Sequence, residues 1–225
     1  MLMRPIIFVI NPNSTQSVTD AFDKALDPLR TTDGPEIQCL TLAEGPSGVE
    51  RQIDVENVTL PLVRLVQKLE SEHGERTGGF VIACFSDPGL YAVREATSRP
   101  VMGISESGIL TAMTMGQRIG VIAILRGSIR RHGRMFGAMG VTDRVVAEEP
   151  LGMTVLELGD PQRTREGLKR AGQKLRDEYL VDVLVLGCAG MADHRDWLQQ
   201  ELDMPVVEPT QAATAMAMGR ALLRW

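Results

Sequence analysis

The chain of 225 residues is long enough for one large α/β unit or for two lobes of about a hundred residues each. Its 44% hydrophobic and 24% charged residues are typical of a globular enzyme and exclude a disordered chain. A net charge of −5 offers no basic surface for nucleic acid, and no apolar run reaches the roughly 18 residues of a membrane-spanning helix.

The N-terminus and the cysteines indicate the compartment. MLMRPIIFVI has one arginine and a five-residue apolar run, too short for a signal-peptide core, so we expect a cytoplasmic protein. Cys39, Cys84 and Cys188 are odd in number and widely spaced, which predicts free thiols rather than disulfides or a zinc site. No nucleotide-binding motif occurs, so no cofactor is expected. We expect a small-molecule substrate and a homo-oligomer, and neither nucleic acid nor membrane as a partner.

Short apolar runs alternate along the chain with amphipathic segments. The predicted strands are 6–10, 37–42, 79–83, 101–104, 118–124, 181–187 and 205–207. The predicted helices are 15–29, 55–72, 88–98, 127–139, 162–179, 192–202 and 210–224. This alternation predicts parallel sheets with helices on both faces. Ligands in such folds bind at the carboxyl ends of the strands, which is where Cys84 lies.

A weak internal repeat relates the segment that begins VIACFSDPGL to the segment that begins VLGCAGMADH. In each, an apolar strand is succeeded by a cysteine, a turn, a helix, a proline and a short strand. The cysteines are 188 − 84 = 104 positions apart, and Pro100 and Pro205 are 105 apart. One cysteine alone is more often a small packing residue. The repeat instead predicts an α/β fold of two similar lobes, related by a pseudo-twofold axis, each presenting a thiol to the cleft between them.

Six motifs spread over essentially the whole chain carry a family resemblance. They are NPNST (11–15), GPSGVE (45–50), IACFSDPGL (82–90), PVMGISE (100–106), GQRIGVIAIL (116–125) and LGCAGMAD (186–193). Together they resemble the aspartate/glutamate racemase superfamily, and in particular its hydantoin and allantoin racemase branch. The resemblance implies two mostly parallel sheets flanked by helices, with the last helix packing back on the first lobe. We expect lobe 1 to comprise 1–104 plus 210–225 and lobe 2 to comprise 105–209.

The resemblance also implies a two-base racemisation without cofactor, in which Cys84 and Cys188 act on opposite faces of the substrate. A thiol near its reference pKa of about 8.5 serves as either acid or base when nearby donors lower that pKa. Asp87-Pro88 has the pattern of a helix N-cap followed by proline at the first helical position, which predicts such donors beside Cys84. Gly187 and Gly190 flank Cys188 and leave room for a ligand to approach the backbone.

Candidate substrate-binding residues adjoin the cysteines or belong to the two loops of the resemblance. They are Asn11, Ser14, Pro46, Phe85, Ser86, Asp87, Ala189, Gly190 and Met191. Helix capping explains NPNST, and Asp87, about as well as binding does, and GPSGVE also fits an ordinary turn. Cys39 is interpreted as a packing thiol and His132 as an exposed side chain.

The chain departs from the resemblance at Ala123 and Ile124, where a threonine pair is expected, so the substrate differs or the pocket is altered. Phe85-Ser86 and Ala189-Gly190 provide few side-chain donors, which favours a flat neutral hydantoin-like ring over a zwitterion. Two alternatives stay open. The same thiol pair serves another carbanion reaction, such as maleate-type cis-trans isomerisation or malonate decarboxylation, or the protein is a thiol redox sensor or a small-molecule binding protein.

Overall fold

The computed structural model describes residues 4–225, and these form two four-stranded parallel sheets with one topology. The first sheet consists of β1 (Ile6–Asn11), β2 (Glu36–Thr41), β3 (Thr77–Ile82) and β4 (Val101–Gly103), in the order β2-β1-β3-β4. The second consists of β5 (Ile119–Ala123), β6 (Val145–Pro150), β7 (Val183–Leu186) and β8 (Val206–Val207), in the order β6-β5-β7-β8. The predicted two-lobed α/β fold is confirmed.

Helices separate the strands. They are α1 (Gln16–Ala25), α2 (Gln52–His73), α3 (Leu90–Ala96), α4 (Ile104–Met113), α5 (Arg126–Met139), α6 (Pro161–Tyr179), α7 (Arg195–Leu202) and α8 (Pro209–Leu223). A 3₁₀ segment at Ala189–His194 precedes α7, in a region predicted as one helix from residue 192. Within residues 4–225, no helix is both long enough and apolar enough to cross a bilayer.

One α-helix, α4, and one strand, β6, are absent from the sequence-based prediction. Helix α4 reads ISESGILTAM, and six of its ten residues are buried, so it has no polar face to produce a helical period. Strand β6 reads VVAEEP and is a partly exposed edge strand. Its acidic side chains have partners elsewhere: Glu148 lies 2.7 Å from His132 and Glu149 lies 2.7 Å from Lys174.

Strands β1, β3 and β4 of the first sheet are buried on both faces, as parallel strands covered by helices require, whereas the edge strand β2 is partly exposed. Along β1, Ile7 and Val9 point into a core shared with the second sheet. Phe8, which alternates with them, packs with Phe80 of β3 and with the apolar face of α2. The shared core joins the two sheets in one hydrophobic interior.

Helices α4 and α8 occupy equivalent positions after the last strand of each sheet, and each packs on the other sheet. Helix α8 contacts β1, β3 and β4, whereas α4 contacts β5, β7 and β8, and the two helices also pack against each other. We call α4 and α8 the exchanged helices, because each packs on the sheet of the other half of the chain. This packing supports our proposal that the chain divides into 1–104 plus 210–225 and 105–209.

Candidate active site

The two cysteines of the repeat follow equivalent strands and line the same cavity. Cys84 lies just beyond β3 and Cys188 just beyond β7, and both are half-buried. The cavity between them has a volume of about 30 Å³, enough for roughly two water-sized molecules. The lining residues are Asn13, Val18, Val49, Ala83, Cys84, Phe85, Ser86, Ile124, Ser128, Arg131, His132, Val155, Gly187, Cys188 and Ala189.

Equivalent backbone hydrogen bonds hold the two turns that contain the cysteines in place. The N–H of Ala83 donates to Ile10 at 2.8 Å, and the N–H of Gly187 donates to Ile122 at 2.8 Å. Of the two glycines that flank Cys188, Gly187 lines the cavity and Gly190 lies outside its lining. A Cβ on Gly187 would lie 2.5 Å from the Ile122 carbonyl oxygen. The close approach of the two central strands is therefore a reason for glycine at position 187.

Each thiol receives a backbone N–H from the residue two positions later, Ser86 for Cys84 and Gly190 for Cys188. Burial outweighs these donors. It raises the pKa of Cys84 to about 12 and that of Cys188 to about 11. The expectation of lowered pKa values is wrong, because desolvation of the thiolate exceeds the stabilisation from one N–H. Both groups are protonated thiols at neutral pH in this state.

Asp87 caps a different helix from the one predicted. Helix α3 begins at Leu90 with Gly89 as its N-cap, and Asp87 has a positive φ of 41°. Its carboxylate accepts the N–H groups of Ser105 at 3.0 Å and Glu106 at 2.9 Å, in the first turn of α4. Burial raises the pKa of Asp87 to about 7, against the opposing effect of the two N–H groups. The turn after Cys84 is thereby attached to the helix that crosses to the second sheet.

Three of the nine predicted binding residues, Phe85, Ser86 and Ala189, line the cavity. Among residues 4–225, the other six lie outside its lining: Asn11, Ser14, Pro46, Asp87, Gly190 and Met191.

The loops after the first two strands contribute other residues than those predicted. Asn11 is fully buried and its amide donates to Asn13, to Thr15 and to Thr19, which organises the loop. Ser14 is exposed. Asn13 and Val49 of the same two loops line the cavity instead. Both loops therefore reach the cavity, through different side chains from the ones expected.

Helix α5 supplies a polar wall that the sequence did not predict. Ser128, Arg131 and His132 line the cavity from one face of this helix. His132 was expected to be exposed but is 2% exposed, because its Nδ1 lies 2.7 Å from Glu148 Oε2 and its ring packs edge-on against Phe85. The i, i+3, i+4 spacing of the three residues was the available signal, since such positions share a helix face.

The same wall changes the expected character of the pocket. Ile124 lines the cavity with an apolar side chain, as expected where a threonine pair is missing. Arg131 and Ser128 add side-chain donors from the next helix to the few that the residues after the cysteines provide. Within residues 4–225, no cluster of three or more His, Cys, Asp or Glu side chains is arranged to hold a metal ion.

Cys39 lies in β2, opposite Val9 of β1, and packs against the shared core away from the cavity. Burial, together with nearby Asp23, raises the pKa of Cys39 well above its usual range. Its position agrees with the expected packing role.

Comparison with known proteins decides the family. The model of the Asp/Glu/hydantoin racemase family matches residues 7–217. A hydantoin racemase of Pseudomonas sp. (strain NS671) is 32% identical over 212 residues, which cover 94% of this chain and 84% of that protein. The chain belongs to the Asp/Glu/hydantoin racemase family. It is an isomerase of the racemase type.

Solved structures agree with this assignment. The allantoin racemase from Klebsiella pneumoniae is 26% identical with a TM-score of 0.90, covering 98% of this chain and 89% of that chain. The allantoin racemase from Pseudomonas fluorescens is 25% identical with a TM-score of 0.88, covering 97% and 92%. The racemase therefore has relatives of the hydantoin/allantoin branch by both sequence and fold.

Proposed function

We propose that this racemase inverts the stereogenic carbon of a hydantoin-like cyclic substrate by a two-thiol mechanism without cofactor. The observation that carries the proposal is that Cys84 and Cys188, which follow equivalent strands of two sheets with one topology, line a single cavity. A planar carbanion held between two thiols is open to a proton from either face. One acid–base group on each side is what inversion needs.

The steps balance as two proton transfers. The thiolate form of one cysteine takes the C5 proton of the ring, and the electron pair of that C–H bond delocalises into the adjacent ring carbonyl. The thiol of the other cysteine then gives its proton to C5 from the opposite face. The product is the mirror-image ring, and the two sulfurs have exchanged their protonation states. Because both thiol pKa values are raised, one proton must leave to solvent before turnover starts.

The pocket supports a ring substrate. Its walls near the sulfurs are largely apolar, including Val49, Ile124 and Val155, and the turn amides of Ser86 and Gly190 lie beside the thiols. A ring with two carbonyls already acidifies its C–H, so the site need not stabilise a free ammonium and a carboxylate at that carbon. The relatives named as hydantoin and allantoin racemases support the same substrate class.

The test is hydrogen exchange at the stereogenic carbon. The purified protein is incubated in D₂O with single enantiomers of 5-substituted hydantoins and of allantoin, and deuterium at C5 is followed by NMR while optical rotation reports inversion. We expect exchange and loss of rotation together, and little or no exchange into free aspartate or glutamate. Faster exchange of free glutamate than of every hydantoin would refute the ring substrate.

Cysteine variants test whether activity depends on the two cavity thiols. Cys84→Ala combined with Cys188→Ala is expected to abolish both signals. The matched control is Cys39→Ala, which removes a thiol outside the cavity and is expected to retain activity. Inversion by the double variant at the rate of the unmodified protein would overturn the two-thiol mechanism.

A further inference from the structure

Arg131 is the charged donor of the cavity wall, and it has no carboxylate in hydrogen-bond contact, since Glu50 and Asp54 act on it only from a longer distance. No carboxylate oxygen of residues 4–225 lies within 4.0 Å of its guanidinium. Its Nη2 donates to the Ser128 hydroxyl at 3.1 Å and its Nη1 to the Gly127 carbonyl at 3.4 Å, whereas its Nε is buried without a partner. Removing a charged donor from water costs free energy unless the donor is paired. This half-buried guanidinium therefore favours the binding of an anion.

A second cavity of about 250 Å³ adjoins the cysteine cavity, and the two share Ser86 and Arg131. Its other lining residues include Gln52, Asp87, Glu106 and Arg134. This volume is several times that of the space between the sulfurs. Arg131 therefore stands at the junction between the thiols and a space large enough for a side group.

The charged side chains of the second cavity differ in whether they have partners within the protein. Glu106 is paired with Arg94 at 2.5 Å, and Asp87 accepts two backbone N–H groups of α4. Arg134, like Arg131, has no carboxylate within 4.0 Å among residues 4–225, and it donates to the Gln52 amide oxygen. The carboxylates of this cavity are committed to protein donors, whereas its two arginines remain available to an anion.

The mechanism directs the substituent of the ring toward this region. In a planar carbanion, the two ring bonds and the substituent at C5 lie in one plane, and the thiols lie above and below it. The substituent therefore leaves the space between the sulfurs sideways, and the second cavity is the larger space connected to it at Ser86 and Arg131. A carboxylate there meets the planar guanidinium, which suits two parallel hydrogen bonds.

We infer that the substrate is a hydantoin whose 5-substituent carries a carboxylate, and that Arg131 binds this group at the junction of the two cavities. The inference rests on the proposed racemase function and makes its substrate class more specific. The ring remains neutral at the reacting carbon, and the negative charge lies on the side group. Arg131 thus discriminates between substrates rather than moving the proton.

A pair of probes of equal shape tests the inference. One is 5-(2-carboxyethyl)hydantoin and the other is its amide, 5-(2-carbamoylethyl)hydantoin. C5 deuterium exchange is measured for each over a range of concentrations, which gives kcat and KM. The unmodified protein is expected to favour the carboxylate by roughly 10- to 100-fold in kcat/KM, mainly through KM, because hydrogen bonds between charged groups are the stronger kind.

Variants at Arg131 complete the test. Arg131→Gln is expected to bring the ratio of the two kcat/KM values to about one, and Arg131→Lys to an intermediate ratio. The matched control is Arg130→Gln, an exposed arginine beside it on α5 that lines neither cavity and is expected to keep the original ratio. Circular dichroism and thermal unfolding verify that each variant is folded.

Each outcome has one interpretation. Exchange of both hydantoins at equal kcat/KM by the unmodified protein overturns the carboxylate inference and leaves the racemase function standing. An equal loss on both probes in Arg131→Gln, with the ratio kept, also overturns it and assigns Arg131 to the Cys84 thiolate or to the carbanion. A protein that exchanges neither probe nor any other hydantoin refutes the proposed function and this inference together.

Discussion

The two cysteine turns have the same backbone placement but different attachments to the rest of the protein. Each follows the third strand of its sheet along the chain, and each thiol receives the N–H of the residue two positions on. Beyond Cys84, the carboxylate of Asp87 caps α4. Beyond Cys188, the chain enters the 3₁₀ segment Ala189–His194, which packs on α1, and the equivalent helix α8 is capped by its own Glu208.

The difference shows that one structural need is met in two ways. The buried N-terminus of each exchanged helix requires an acceptor for its free N–H groups. In α8, Glu208 accepts the N–H groups of Thr210 and Gln211. In α4, the N-cap position is Gly103, which has no side chain to accept these groups, and the Asp87 carboxylate accepts the N–H groups of Ser105 and Glu106 in its place. The position of Cys84 is therefore coupled to a helix packed on the second sheet, and that of Cys188 is not coupled in this way.

The largest expected effect on activity comes from removing one of the two cavity thiols at a time. Cys84→Ala and Cys188→Ala are each expected to lower racemisation by about 10²- to 10⁴-fold, the usual loss for a positioned acid or base. The residual C5 exchange in D₂O should favour one enantiomer in each variant, and opposite enantiomers in the two, because the remaining thiol reaches one face of the ring. Separate exchange assays on each enantiomer measure this. The same enantiomer preference in both variants would contradict thiols on opposite faces.

Raising the pH should increase activity steeply. The thiol pKa values are raised, so the thiolate fraction is small at pH 7 and grows roughly tenfold for each pH unit until the pH approaches those values. We expect kcat/KM for exchange to follow this rise between pH 7 and pH 9. Alkylation of Cys84 and Cys188 by iodoacetamide, followed by mass spectrometry, should show the same trend. A plateau below pH 8 would mean that one thiol has a lowered pKa.

The buried pair of His132 and Glu148 belongs to the second half and has no counterpart identified in the first. His132→Phe leaves the Glu148 carboxylate without this partner in a site where the Glu148 side chain is 7% exposed. We expect the free energy of unfolding to fall by about 1–3 kcal/mol, the usual penalty for an unsatisfied buried group. Urea unfolding of His132→Phe and of Glu148→Gln combined with His132→Phe measures it. Full stability of His132→Phe alone would show that the pair does not contribute to folding.

The two helix caps should contribute similarly to the stability of the protein, but only the Asp87 cap should affect activity. Asp87→Asn and Glu208→Gln are each expected to lower the free energy of unfolding at pH 5 by about 1 kcal/mol, because the amide keeps only one of the two acceptor oxygens and leaves one N–H of the helix without its partner. Only Asp87→Asn should also slow C5 exchange, because Asp87 lies in the Cys84 turn. An equal loss of activity in both variants would remove the proposed coupling of Cys84 to α4.

The Asp87 cap also predicts a pH dependence. The pKa of Asp87 in the folded protein, about 7, exceeds its ordinary value of 3.8, so between these values the folded state binds more protons than the unfolded state. The contribution of Asp87 to stability therefore falls as the pH rises through this window. Asp87→Asn lacks this dependence, so its deficit should shrink from pH 5 to pH 8. Urea unfolding at both pH values measures it, and a deficit that grows with pH would contradict the raised pKa.

Much of the fold was predictable because buried parallel strands are short apolar runs. All seven predicted strands exist, with ends shifted by a few residues at most. The two missed elements, β6 and α4, are those whose sequence pattern does not match their burial. The acidic residues of β6 find partners on α5 and α6, and the polar residues of α4 are buried at a helix junction. Such partners come from distant parts of the chain.

The sequence by itself determined which strands end in a thiol and that the two halves repeat, because residue order along a strand is a local property. It did not determine that Arg131 and His132 face the cavity, or that Asp87 caps α4 rather than α3. Which face of a helix points inward, and which free N–H lies within reach of a carboxylate, depend on how the two sheets and their exchanged helices pack. Burial in that packing also reverses the expected direction of the thiol pKa shift, since desolvation depends on all surrounding atoms and not on neighbours in sequence.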